Sequence, residues 1–265
     1  MTALPARGST ADAVRLTDLR LASTAAAAHP ADGSDGEPVE LAWDFPPLPT
    51  PIADAVAAAW GVRVVSDPAA SDPRSHPAFG VLFAHARSEQ VVSALASRTN
   101  LVLPAASALI VGDGLLAETI ARTLVVGGTR VVRAIDDPIA RLRAHLEGVR
   151  LAPATADAES LPSTDLVIAT GEGHAPLDAA VLAGVSIDAS VGATPALRRP
   201  TAGTEVRASV HRLGERSWIV DAPDVYETAR GAIGPTRTAD LLVALSVLRA
   251  RTDEPDALLA ELVAP

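Results

Sequence analysis

The chain has no cysteine and no lysine. Without cysteine there are no disulfides, no thiolate nucleophile and no cysteine-bound metal. Without lysine there is no Schiff base and no lysine general base; all 22 basic residues are arginine, as GC-rich codon usage of a bacterial type would give. Aromatic residues make up only 3%, so a core has to be built from Val, Leu, Ile and Ala. That composition suits α/β layers better than an aromatic-rich β-sandwich. No run approaches the roughly 18 apolar residues a membrane span needs, and the first 20 residues lack the apolar stretch of a signal peptide. The expectation is a soluble, cytoplasmic protein without a membrane partner. A formal charge of −10 argues against general binding of phosphate backbones, which needs a basic face, so nucleic acid is not expected as a partner. The histidines show no metal-ligand spacing, so no metal is expected, and neither G-x-S-x-G nor a P-loop is present.

What is there is 265 residues, 48% of them hydrophobic, enough for one large or two small domains. Residues 1–94 read as a small α/β unit. Its expected strands are VELAWDF (Val39–Phe45), VRVVSD (from Val62) and AFGVLFAHA (from Ala78), the last followed by a helix RSEQVVSALASRT. From Ala108 the rhythm is regular. Strand ALIVG leads into a helix from Leu115 to Val126, then strand RVVRAI and helix PIARLRAHLEG. Strand VRLAP, strand DLVIAT, helix LDAAVLAG and strand VSIDAS follow. Strands alternating with helices of about ten residues predict a doubly wound parallel Rossmann-like sheet over residues 95–235 with right-handed crossovers. VRASVHRLGERSWIVD reads as two strands around Leu213–Glu215. The helices of 236–265 would complete the smaller domain, and the apolar face Leu241–Leu248 serves either as core or as a homodimer surface.

The strand-to-helix turn at Gly112, Gly114 and Ala117 has the pattern G-x-G-x-x-A. Gly112 permits the tight turn, Gly114 leaves room for a pyrophosphate, and Ala117 lets the helix approach the sheet. The amides of Asp113, Leu115 and Leu116 would then face the phosphates at a helix N-terminus. Asp136, 22 residues after Gly114 at the end of the second strand, is placed to bind ribose hydroxyls. An acid there favours NAD over NADP by repelling a 2′-phosphate, with Arg133 as a counter-indication. The competing reading is a glycine turn needed only for packing.

The stretch from Ala96 to Gly148 resembles the NAD-binding domain of adenosylhomocysteinase, and the 2-hydroxy-acid dehydrogenases share that domain. The match lies in SRTN (Ser97–Asn100), in Gly112–Ala117, in Asp137-Pro138-Ile139, and in Thr170-Gly171 at the end of the fourth strand, where the resemblance implies the cofactor lies. It fades toward both ends of residues 95–250. The family's ribose-binding Glu falls on Ile135, so Asp136 would replace it. Its catalytic lysine has no counterpart, and its N-I-G-H segment becomes SVGA (Ser190–Ala193). Hydrolysis of adenosylhomocysteine is therefore not expected.

Candidate acid–base groups are His174 with Glu172 beside it, His85 beyond the expected strand FGVLFA, and Asp188 at the end of VSIDAS, the expected last parallel strand. Each sits where an open α/β sheet binds ligands, and imidazole exchanges protons near neutral pH. Each also has a plain structural reading, as a solvated loop histidine, a packed or surface histidine, and a turn acid. Two functions follow. One is an NAD(P)-dependent oxidoreductase holding a small-molecule ligand between its domains, with hydride transfer asking only orientation and one acid–base group of the protein. The other is a non-catalytic, degenerate Rossmann module that binds a nucleotide or a partner. A methyltransferase-like use of the same turn is a third. The enzymatic reading requires a vacant diphosphate cradle around Gly114.

Overall fold

The computed structural model describes residues 39–43, 62–67, 69, 77–153, 161–191, 194–200 and 203–223. Two segments that read as helices from their sequence, one within residues 1–28 and IADAVAAAWG from Ile52, lie outside them, as do the expected C-terminal helices. The chain divides into two compact units, Met1–Phe83 with Arg230–Pro265, and Ala84–Ala229. In the first, β1 (Val39–Trp43) and β2 (Val62–Ser66) pair in parallel, Val39 opposite Val62.

Helix α1 (Pro77–Arg98) replaces the expected strand AFGVLFAHA. A short apolar run does not distinguish strand from helix. Here Ala84, Arg87, Val91 and Leu95 are all buried, a stripe of helical spacing that continues through the segment read as helix. His85 therefore does not end a strand. It stands on the outer face of α1, 69% exposed, with Nε2 3.6 Å from Glu89 one turn on.

After a 3₁₀ turn at Leu103–Ala105 come β3 (Ser107–Val111), α2 (Leu115–Val126), β4 (Arg130–Ala134) and α3 (Pro138–Leu146). Asp137 caps α3, accepting from the Ala140 amide at 2.6 Å, with proline in the first turn where no N–H is needed. Then follow β5 (Leu166–Ala169), β6 (Leu177–Asp178), β7 (Gly184–Asp188), β8 (Leu197–Arg198), β9 (Thr204–Arg207), β10 (Val210–Arg212) and β11 (Ser217–Val220).

The main sheet has the order β4-β3-β5-β7-β11-β10-β9. Its first five strands are parallel, and β10 and β9 extend it as antiparallel strands. The expected strand VRLAP is reduced to one bridge, Leu151 to Arg133 on the outer side of β4. With that bridge counted, the parallel strands run 3-2-1-4-5-6, the doubly wound order, and the order of connection reverses between β3 and β5.

Alternate residues face opposite ways. Leu109, Val111, Val167, Ala169 and Ile219 form one buried cluster with Leu177, Leu182, Ala196 and Leu197. That face is covered by the small parallel pair β6–β8 and its turn, where the sequence predicts the helix LDAAVLAG. The segment is short. Asp178 folds back to accept from the Ala180 amide at 2.9 Å, and Leu177 instead pairs with Leu197. On the opposite face Ala108, Ile110, Leu166 and Ile168 are fully buried, with α2 packed on β3 and β4. Beyond the expected hairpin of β10 and β11, the sequence reading missed β9.

Candidate functional site

The glycine turn sits where the strand order reverses, between β3 and α2. Gly112 has φ +147°, and a Cβ there would enter the shell of Thr170 Oγ1. Thr170, buried at the end of β5, donates that hydroxyl to the Val111 carbonyl at 3.3 Å. Two loops are thereby pressed together at the carboxyl edge of the sheet.

The cradle is not vacant. The Glu172 carboxylate accepts from the Leu116 amide at 3.0 Å and the Ala117 amide at 2.8 Å, the free donors at the start of α2. A Cβ on Gly114 would strike the same carboxylate. The Asp113 amide donates to the Glu172 carbonyl at 2.9 Å. A side-chain anion thus holds the positive end of the helix, the position a phosphate would take. This overturns the expected open cradle. Leu115, also expected there, is 40% exposed.

Asp113 ties the turn to the end of β4, its two carboxylate oxygens accepting from the Asp136 and Asp137 amides at 2.8 and 2.9 Å. The Asp136 carboxylate faces His174, whose Nε2 lies 3.4 Å from Oδ2. The His174 side chain is only 2% exposed, and that nitrogen makes no hydrogen bond. Its Nδ1 is 3.1 Å from the Ala175 carbonyl, which can only accept, so Nδ1 carries the proton of that bond. In a neutral ring Nε2 is then a bare acceptor opposite a carboxylate. Gly171 and Gly173, flanking Glu172, have φ of +73° and +70°.

Arg133 is 5% exposed and donates Nη2 to the Gly112 carbonyl at 3.1 Å, while its Nε is unpaired. Burial pushes its pKa down, and the charges of Glu118, Glu172, Asp113 and Glu147 oppose this; a guanidinium stays charged regardless. Two cavities, of about 640 and 390 Å³, lie along α2, β4 and α3, and neither is lined by residues of the glycine turn.

Of the residues singled out from sequence, Gly112, Asp113, Gly114, Leu116, Asp136, Thr170, Gly171 and His174 come together. His85 does not. Asp188 lies next to Ala169 at the sheet edge but is already engaged: its carboxylate accepts from the Ser190 amide and hydroxyl and the Leu197 amide. Nor does it end the last parallel strand, because β11 lies beyond β7. The sequence reading missed the part played by Glu172. Its signal was a carboxylate between two glycines immediately after β5. Arg87 was missed as well: it is buried on α1 and donates to the carbonyls of Ala189 and Pro223. Among the described residues no group of His, Asp and Glu has the geometry of a metal site, and no helix is long and apolar enough to cross a membrane.

Strand order, glycine turn and the acid after β4 define a Rossmann-type α/β sheet. No family model matches the chain and no curated protein is similar to it. Among solved structures it is similar to the dipicolinate synthase A chain from Bacillus subtilis, at 14% identity and a TM-score of 0.46, over 81% of this chain and 64% of that one. It is similar also to a transhydrogenase from Sinorhizobium meliloti, at 18% and 0.43, over 74% and 62%. A third is CAD from Helicobacter pylori, complexed with NADP(H), at 16% and 0.37, over 62% and 43%. The chain thus spans less than two thirds of each of these proteins.

Proposed function

We propose that the chain is a dinucleotide-binding module of the oxidoreductase-like Rossmann kind that takes NAD at the Gly112–Ala117 turn only once the Glu172 carboxylate has left its amides, the condition the enzymatic reading now carries. The observation that carries this is the helix start at Leu116 and Ala117, with two amides already holding an anion at the strand-order reversal. Its preference for NAD over NADP rests on two side chains. In this reading the ribose would lie at Asp136, which follows β4 and faces His174, and its carboxylate would repel a 2′-phosphate, while Arg133 is buried against the Gly112 carbonyl and so is withheld from one. His174 is the acid–base candidate that remains at the site. The adenosylhomocysteinase-like character rests on the sequence motifs alone, and without lysine or the N-I-G-H histidine hydrolysis of adenosylhomocysteine is not part of the proposal.

A second reading is favoured by one specific observation: Glu172 already satisfies the cradle, as a non-catalytic module would. Titration of the full chain with NAD, NADH, NADPH and S-adenosylmethionine, followed by tryptophan fluorescence, tests both readings. Saturable binding of NADH, tighter than NADPH, is the expected result. Binding of none of the four at millimolar concentration leaves the non-catalytic module, and preference for S-adenosylmethionine refutes the dinucleotide assignment.

A further inference from the structure

We infer that Gly171-Glu172-Gly173 is a built-in latch, in which the Glu172 carboxylate mimics a phosphate and must be displaced before a nucleotide diphosphate can enter. This rests on the dinucleotide reading and adds its regulation. Three hydrogen bonds fasten the segment to the turn: two from the α2 amides to the carboxylate and one from the Asp113 amide to the Glu172 carbonyl. The glycines on either side both have positive φ, a conformation few other residues tolerate, so the carboxylate rides on two permissive joints. Displacement exchanges one anion for another at the same amides. The ligand therefore gains only the difference between its own bonds and those of Glu172.

A second corner points independently to what enters. The buried His174 Nε2 has no hydrogen bond and faces the Asp136 carboxylate, acceptor against acceptor in the neutral ring. A vicinal diol supplies the donor that Nε2 lacks, one hydroxyl donating to Nε2 and its neighbour to the part-exposed Asp136 carboxylate beside it. The ligand class that suits both corners is a ribonucleoside diphosphate or dinucleotide, with diphosphate at the α2 amides and ribose diol alongside the Asp136–His174 pair.

The test compares wild type with Glu172→Ala and Glu172→Gln in the full chain, using NADH titration and thermal melting with inorganic pyrophosphate. Removing the competing carboxylate should tighten NADH binding by 10-fold or more, about 1.4 kcal/mol, with Gln intermediate because it keeps one weaker acceptor. Either variant should melt below wild type alone and recover with pyrophosphate, while wild type is indifferent to the same concentration. If Ala prevents folding, Gln carries the comparison. Pyrophosphate rescue without NADH binding keeps the latch and refutes the dinucleotide reading. A folded variant that binds NADH and pyrophosphate no better than wild type overturns the latch.

Discussion

Gly112→Ala should be among the more damaging single-methyl additions, and about half of its cost should trace to one atom. Two effects add. At φ +147° an alanine is strained, by about 1–3 kcal/mol. Its Cβ also overlaps Thr170 Oγ1, which is buried and bonded to the Val111 carbonyl, so relieving the overlap adds about 1–3 kcal/mol of overpacking. Together they give about 2–6 kcal/mol, a large share of the 5–15 kcal/mol that holds a typical domain. The two parts separate in a double-mutant cycle with Thr170→Ala. That single change loses one hydrogen bond and a methyl group, about 1–2 kcal/mol, and clears the space. In its background Gly112→Ala should cost the backbone part and a smaller residue of crowding, since the next neighbour, Ala117 Cβ at 3.2 Å, has to give by a few tenths of an ångström. Urea denaturation measures each corner as a shift of midpoint at constant slope. Equal costs of Gly112→Ala in both backgrounds would refute the claim that Thr170 is what demands glycine there.

Two further outcomes follow from the second compact unit. For Asp221, burial raises the carboxyl pKa, but hydrogen bonds and charge from His211 and Arg199 outweigh it and hold the pKa below the usual value of 3.8. A depressed carboxyl contributes stability that is present above its unfolded pKa and lost as pH falls through the folded one. Asp221→Asn should therefore lower the melting temperature at neutral pH and bring it toward wild type under acid. A constant deficit across pH 2–7 would contradict the pairing. Arg87→Leu strands the carbonyls of Ala189 and Pro223 and should cost about 2–4 kcal/mol in chemical denaturation; a neutral effect would mean that water already serves those oxygens.

The central β-α-β-α run was legible in the sequence because its signals are local and redundant. Ser107–Val111 is a short apolar run, Gly112 and Gly114 mark the turn, and Asp137-Pro138 starts a helix. The failures came where tertiary pairing decides. The run around Phe83 has no period that separates strand from helix. Leu177 becomes a strand because of Leu197, twenty residues away, which no local window sees. At the site the residues were mostly found but their state was not. That Glu172 fills the cradle depends on the carboxyl end of β5 lying beside that of β3, a register that composition does not reveal.

The β6–β8 layer has a consequence for how the chain reaches its final state. A helical crossover between β5 and β7 could form from nearest neighbours before docking. Leu177 instead finds its partner only after β7 and the loop behind it are in place, because Leu197 follows both. Closing such a loop defers the reward for ordering it. This half of the sheet should therefore assemble late, with Leu109, Val167 and Ile219 exposed on the bare face until the pair snaps over them.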